Sequence, residues 1–245
     1  MAIHTTDAIV LRQYPFRETS LLVTCLTSGV GKLRGIIKGI RGERTRYRSA
    51  MEALTVNRIV YYDSRTSPLH LISQCELTEP FGGLTQDLHS MRLAAACGEL
   101  IDILLEDGEH HPGVFELLRA TLSRLATGGG EPLVVHSHFV LRLLRLVGFH
   151  PQLDQCAGCN RRDFADGGYW SVPQGGLLCE RCLHQDPRAE SIPPQMVALL
   201  SAFAESDVPV SLDPMASSAI HHRLDEFLRW RVDRPLRTLN GVSVT

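Results

Sequence analysis

Short apolar runs separated by turn residues predict β-strands in the first 80 residues of the chain. Turn signals stand at Gly29 to Lys32 and at Ser67-Pro68. The runs that predict strands are residues 8–11, 21–26, 33–38, 54–62 and 69–75. Five short strands at this spacing are typical of a small barrel or a sandwich, and we expect a five-stranded barrel over residues 1–80.

After Pro80 the apolar residues recur every three or four positions, which is the period of an amphipathic helix. Five segments follow this period: residues 84–104, 114–125, 132–147, a segment that begins at Pro193-Pro194, and residues 220–228. They predict an α-helical domain over residues 81–245 whose apolar stripes pack against one another. An insertion with cysteines, residues 150–190, separates the third helix from the fourth. The expected fold class is therefore α+β.

The composition narrows the class of protein. The 245 residues are 44% hydrophobic and 21% charged, which is typical of a soluble globular protein. No apolar run approaches the roughly 20 residues of a membrane-spanning helix, and no basic stretch precedes an apolar one at the N-terminus. The seven cysteines, an odd number, favour a reducing compartment. We therefore expect a cytoplasmic protein without a membrane partner.

Four of the cysteines have the spacing of a metal site. Cys156 and Cys159 are followed after nineteen residues by Cys179 and Cys182, which gives the pattern C-x2-C-x19-C-x2-C. Two residues between ligands allow a tight turn to aim both sulfurs at one tetrahedral ion. The pattern predicts one Zn²⁺ bound by four thiolates, with Tyr169 to Val172 as a strand of a zinc ribbon.

The role of this zinc site is a separate question. Four protein sulfurs fill every coordination position, so no water is activated and a structural role is favoured. The alternative is that the rim of the site contacts DNA through Arg161, Arg162 or Arg181. Two disulfides or a C-x-x-C redox pair would need an oxidising compartment or a thioredoxin-like context, and neither is indicated.

A second candidate site is the basic segment from Lys32 to Arg48. It holds seven Lys and Arg side chains against Glu43 alone, a net charge of +6. Such a field attracts polyanions, and an interleaved aromatic ring offers a face on which a base can stack. The predicted nucleic-acid-binding residues are Lys32, Arg34, Lys38, Arg41, Arg44, Arg46, Tyr47 and Arg48. The plain alternative is a solvated loop.

Catalytic motifs are missing from the sequence. Gly31-Lys32 is not part of a phosphate-binding loop, because Leu26 and Leu33 stand where that motif needs Gly and Ser or Thr. No GxSxG, HExxH or GxGxxG motif is present. We therefore expect a protein that binds nucleic acid without catalysis. Two alternatives stay open: a nuclease whose carboxylates converge only in the fold, and a protein-only adaptor for an acidic peptide tail.

The pieces resemble a known family. The runs Ala8 to Leu11 and Tyr14 to Leu21 look like the start of RecO, the bacterial recombination mediator. Gly31-Lys32-Leu33-Arg34 and Lys38-Gly39-Ile40-Arg41 are similar to its basic region, and Tyr169 to Cys182 resembles its zinc-bearing part. The tail departs from the pattern, since Arg234 to Thr238 stands where members often carry Leu-Lys-Ser.

This resemblance implies a fold and a function. It implies an N-terminal OB-fold, an α-helical domain and a bound zinc. It also implies binding of single- and double-stranded DNA, annealing of complementary strands, and loading of RecA together with RecR in the RecF pathway. The tail of the single-strand-binding protein is a further implied partner, and the implied location is the cytoplasm, at the nucleoid.

Overall fold

The computed structural model describes residues 2–40, 50–64, 67–232 and 238. By the density of its internal contacts the chain divides into two compact units, residues 1–129 and 130–245. The first unit holds all five N-terminal strands and the first two helices. The sequence analysis instead places all the helices in one domain, residues 81–245. The boundary at residue 80 falls just after the last strand of the barrel.

The N-terminal strands form a closed barrel. They are β1 (Ile3–Phe16), β2 (Ser20–Thr27), β3 (Gly31–Ile37), β4 (Val56–Tyr62) and β5 (His70–Glu79). Their order around the barrel is β1-β2-β3-β5-β4, and closure comes from the parallel pairing of β3 with β5 and the antiparallel pairing of β1 with β4. The predicted five-stranded barrel is confirmed, and its topology is that of an OB-fold.

Side chains at alternate positions of the strands point inward and fill the barrel. Inward positions such as Val10, Val23, Leu33 and Ile59 are buried and form one apolar core. β1 is longer than the run at residues 8–11 predicts, because its second half pairs with β2 as an extended hairpin. Pro15 is tolerated inside this strand since β4 pairs only with the first part of β1, so the missing N–H breaks no ladder on that side.

Helices complete the first unit. A 3-10 turn (Gly82–Gln86) leads into α1 (Leu88–Leu104), and α2 (Val114–Thr127) follows. The carboxylate of Asp87 accepts from the backbone N–H groups of His89 and Ser90 and so caps α1. The hydrogen bonds from Ser90 and His89 hold the pKa of Asp87 below its usual value. The turn packs tightly on α2, because a Cβ at Gly83 would overlap the carbonyl oxygen of Ala126.

The second unit combines three helices with a small sheet. Its elements are α3 (Pro132–Leu146), β6 (Gly168–Ser171), β7 (Gly176–Leu178), β8 (Glu190–Ile192), α4 (Pro194–Glu205) and α5 (Pro214–Arg231). The sheet has the order β7-β6-β8 and lies in the insertion between α3 and α4. Phe139, Phe203 and Phe227 from the three helices are fully buried. The five predicted helices and the predicted strand at Tyr169 are confirmed. Within the described residues no helix is long and apolar enough to span a membrane.

Replacement of Gly31 tests the contact between the barrel and the loop after α1. This glycine has a φ of +75°, and a Cβ there would overlap the carbonyl oxygen of Glu109. We expect Gly31→Ala to lower the free energy of unfolding by about 3 kcal/mol, because a backbone shift adds to the strain of positive φ. Denaturant unfolding followed by circular dichroism measures this change.

Gly108 provides the matched control. Its φ is +76°, and no described atom lies within 4 Å of the position its Cβ would take. Gly108→Ala therefore carries only the cost of positive φ, about 1 kcal/mol. Equal losses in the two variants would contradict the proposed close approach.

Candidate functional site

The four cysteines of the insertion come together in the second unit. Their sulfur atoms all lie within 4.8 Å of one another, and the sulfurs of Cys159 and Cys179 are 3.7 Å apart. Zinc–sulfur bonds of about 2.3 Å in a tetrahedron place two sulfurs about 3.8 Å apart. The residues therefore fit a four-coordinate metal ion. Within the described ranges, these cysteines are the one group of three or more His, Cys, Asp or Glu side chains with such geometry.

Local backbone structure aims these sulfurs. In the first pair, Asn160 N donates to Cys156 O over 2.8 Å and Cys156 N donates to Arg161 O over 2.7 Å, which closes a tight turn. In the second pair, Cys182 N donates to Cys179 O over 2.9 Å at the start of a 3-10 turn (Glu180–Gln185). A Cβ at Gly158 would lie 3.1 Å from Cys182 Cβ, so glycine allows the two turns to approach each other.

The environment of Cys156 favours the thiolate that a metal requires. Burial alone raises the pKa of this thiol, but the N–H groups of Cys179, Gly158 and Cys159 outweigh it and bring the pKa down to about 6. Burial and hydrogen bonds from the other three sulfurs raise the pKa of Cys182 to about 12. Four thiolates in one place need a cation to balance their charge, and Zn²⁺ prefers this ligand set.

The other three cysteines are core residues. Cys25, Cys75 and Cys97 are buried. Burial, and to a smaller extent Cys75, raises the pKa of the Cys25 thiol to about 12. Burial raises the pKa of Cys75 to about 11 and that of Cys97 well above its usual value. These thiols are therefore protonated apolar groups and differ from the metal-type cluster.

Two of the three arginines near the four cysteines form ion pairs. Arg161 pairs with Asp163 over 2.5 Å, and Arg162 lies 3.4 Å from Asp154. The carbonyl of Arg181 hydrogen-bonds the ring of His184 over 2.8 Å, which gives that histidine a partner other than a metal. A role of Arg161, Arg162 or Arg181 in contacting DNA stays a prediction.

On the barrel, the first basic residues of the predicted interface meet carboxylates from α1 and the loop after it. Lys32 is 8% exposed, and its Nζ donates to Asp102 O over 2.7 Å and lies 3.5 Å from Asp102 Oδ1. Arg34 Nε donates to Asp107 Oδ2 over 2.5 Å. Arg12, which the sequence did not single out, also pairs with Asp102. Asp102 and Asp107 thus offset two of the three positive charges in this part of the barrel.

The structure thus separates three of the predicted nucleic-acid-binding residues, Lys32, Arg34 and Lys38. Lys32 is buried and Arg34 is exposed but paired, whereas Lys38 is exposed and follows the end of β3 instead of lying within it. Arg41, Arg44, Arg46, Tyr47 and Arg48 lie outside the described residues, and their role stays a prediction. Asp102 was missed at the sequence level because it is 70 positions from Lys32, and helical periodicity alone does not indicate a barrel partner.

These features define a class of protein in which an N-terminal OB-type barrel precedes helices and a four-cysteine site of metal-binding type. Comparison with family models agrees: "Recombination protein O N terminal" matches residues 1–81, and "Recombination protein O C terminal" matches residues 85–240. Together the two models cover nearly the whole chain. The chain belongs to the RecO family.

Relatives of similar length support this assignment. A protein of Moorella thermoacetica is 30% identical over 240 residues, with 95% of this chain and 87% of that protein aligned. A protein of Nocardioides sp. is 30% identical over 248 residues, with 98% and 99% aligned. One from Halalkalibacterium halodurans is 28% identical over 232 residues, with 91% and 89% aligned. Each of the three is named DNA repair protein RecO.

The metal site is tested by replacing one ligand. We expect the purified protein to hold about one Zn²⁺ per chain, and Cys182→Ser to hold much less, because three thiolates and a hydroxyl bind zinc weakly. Elemental analysis measures the content. Cys75→Ser, which changes a core thiol, should keep its metal. Equal zinc in the two variants would contradict the assignment.

The buried ion pair of the barrel gives a separate prediction. Asp102→Asn should lower the free energy of unfolding by about 3 kcal/mol, because it removes the nearer carboxylate of the buried Lys32 ammonium and leaves only Asp107 Oδ1, 3.9 Å away. Asp107→Asn is the control: that carboxylate is about one-third exposed, so the loss should stay below about 1 kcal/mol. Chemical denaturation measures both. A small loss in Asp102→Asn would show that Lys32 does not depend on this carboxylate.

Proposed function

We propose that this protein is a non-catalytic DNA-binding mediator of recombination in DNA repair. The observation that carries the proposal is that RecO family models match both the barrel, residues 1–81, and the rest of the chain, residues 85–240. The protein binds single- and double-stranded DNA, anneals complementary strands, and helps RecR to load RecA in the RecF pathway.

The chemistry of the barrel supports weak, sequence-independent binding. Lys38 is exposed at the end of β3 and leads into the cationic segment 41–48. Lysine and arginine grip phosphates without reading bases, so such contacts are salt-sensitive and easily exchanged. A protein that passes strands to a partner, or brings two strands together, needs contacts of this kind more than tight, base-specific ones.

The competing function is a metal-dependent nuclease. Two-metal chemistry needs several carboxylates that converge on one site. The acidic side chains that approach β3, Asp102 and Asp107, instead face Lys32 and Arg34. This pairing uses the carboxylates for structure and favours the mediator.

The metal of the four-cysteine site is Zn²⁺ in this proposal, and its role is structural. The hydrogen bonds of the two Cys-x-x-Cys turns leave each sulfur directed at a common centre. Near the start of the insertion, Gln152 O accepts from Leu177 N of β7 over 2.9 Å. When bound, the ion balances the thiolate charge and holds the two turns together.

The partners follow from the same family. We propose RecR, the C-terminal tail of the single-strand-binding protein, and a functional link to RecA and RecF, with action in the cytoplasm at the nucleoid. Use as an adaptor for an acidic peptide tail complements DNA binding, because both ligands are polyanionic.

The basic segment is tested by charge removal and by charge retention. Replacing Arg41, Arg44, Arg46 and Arg48 by Ala should weaken binding to a single-stranded oligonucleotide and make the slope of log K against log salt less steep by about 3. Fluorescence anisotropy over a salt series measures both. Replacement of the same four residues by Lys should keep the slope, because lysine contacts phosphate as a point charge.

Two outcomes would contradict the proposal. Unchanged binding and annealing in the alanine variant would remove the basic segment from the interface. Cleavage of labelled DNA by the unmodified protein in the presence of Mg²⁺ would show an enzyme in place of a mediator.

A further inference from the structure

Two exposed aromatic rings lie on the outward side of the barrel, on the hairpin of β1 and β2. Tyr14 is 52% exposed and Phe16 is 36% exposed. They are two residues apart on one strand, so their side chains point to the same face, about 7 Å apart. Neither ring lies in a run that predicts a strand, since the nearest runs are residues 8–11 and 21–26.

Strand register extends this face over β2 and β3. Tyr14 pairs with Leu22, which pairs with Ile36, and Phe16 pairs with Ser20. Because Leu21 pairs with Ile37, the next residue, Lys38, lies beside Ser20. Directly paired residues share a face of the sheet. We call this surface the aromatic face; its members are Tyr14, Phe16, Ser20, Leu22, Ile36 and Lys38.

Cations border the aromatic face unevenly. At one end, Arg12 and Arg34 extend the same face but are paired with Asp102 and Asp107. At the other end lie Lys38 and Arg17, for which no carboxylate partner occurs among residues 2–40, 50–64 and 67–232. The guanidinium of Arg17 lies 5.2 Å from the centre of the Phe16 ring. Glu18, in the turn next to Arg17, is the acidic residue of the hairpin tip.

The exposed rings and the nearby cations together suit one kind of ligand. An aromatic ring open to water can stack on a nucleobase, and a nearby unpaired cation can contact the adjoining phosphate. Stacking needs the flat face of a base, which a duplex hides between neighbouring base pairs and a single strand exposes. A paired arginine, by contrast, would lose its carboxylate on binding a phosphate. The hairpin end of the face is therefore the part suited to a single strand.

We propose that Tyr14 and Phe16 stack bases of single-stranded DNA, while Arg17 and Lys38 contact its phosphates. This inference rests on the proposed function, since it assumes that the barrel binds DNA, and it adds a preference of this surface for unpaired strands.

The test compares base-bearing and base-free ligands. Anisotropy is measured with a single-stranded oligonucleotide and with an abasic strand of equal length, which keeps phosphates and lacks bases. We expect Tyr14→Ala and Phe16→Ala each to weaken binding to the first by between about 5-fold and 150-fold, the range found for loss of one stacked base. Binding to the abasic strand and to duplex DNA should change little. Tyr14→Phe, which keeps the ring, should bind as the unmodified protein does.

Controls separate stacking from charge and from misfolding. Ile3→Ala removes a side chain that is 61% exposed on the same strand but outside the aromatic face, and should leave binding unchanged. Lys38→Ala should reduce the steepness of the salt dependence by about 0.7, whereas Tyr14→Ala should leave it unaltered. Matching unfolding curves for all variants exclude a general loss of structure.

The outcomes distinguish the two proposals. If the unmodified protein binds none of the DNA ligands, the proposed function fails and the stacking inference fails with it. If it binds single strands while Tyr14→Ala and Phe16→Ala bind equally well, the stacking inference alone is wrong. A loss of equal size on the abasic strand would also overturn stacking, and would indicate that the rings support a phosphate site or a protein partner instead.

Discussion

Closure of the barrel is the constraint on which the first unit depends. The parallel pairing of β3 with β5 joins Gly35, Ile36 and Ile37 to His70, Leu71 and Ile72. Closure leaves no open sheet edge and sets which alternate residues point outward. A Cβ at Gly35 would lie 2.6 Å from Ile72 Cδ1, so the small residue allows the two strands to meet. The outward surface of β1, β2 and β3 follows from this register.

The same strand register places Lys32 and Lys38 in different environments. Lys32 is buried against α1, where Asp102 supplies a carbonyl oxygen and a carboxylate. A buried ammonium with these partners joins α1 to the barrel and is costly to expose. Lys38, six residues later, is exposed. Two lysines in one basic segment therefore act differently, because only one of them meets a helix.

The four-cysteine site depends more than the barrel does on contacts between residues that are close together in the chain. Both Cys-x-x-Cys turns close through hydrogen bonds between near neighbours, as between Asn160 N and Cys156 O. One close approach, at Gly158, joins the two turns. The separation of roles between cysteines also has a physical basis: buried thiols such as Cys97 have a raised pKa, whereas N–H donors lower the pKa of Cys156.

Sequence alone determined the five strands, the five helices and the cysteine quartet, because each has a period or spacing that short-range geometry imposes. It did not show that Lys32 is neutralised by Asp102, nor that β1 continues through Pro15 and presents Tyr14 and Phe16. These facts depend on contacts between residues far apart in the chain. Composition reports how many charges a segment holds, but only tertiary packing decides which of those charges meet a partner and which face water.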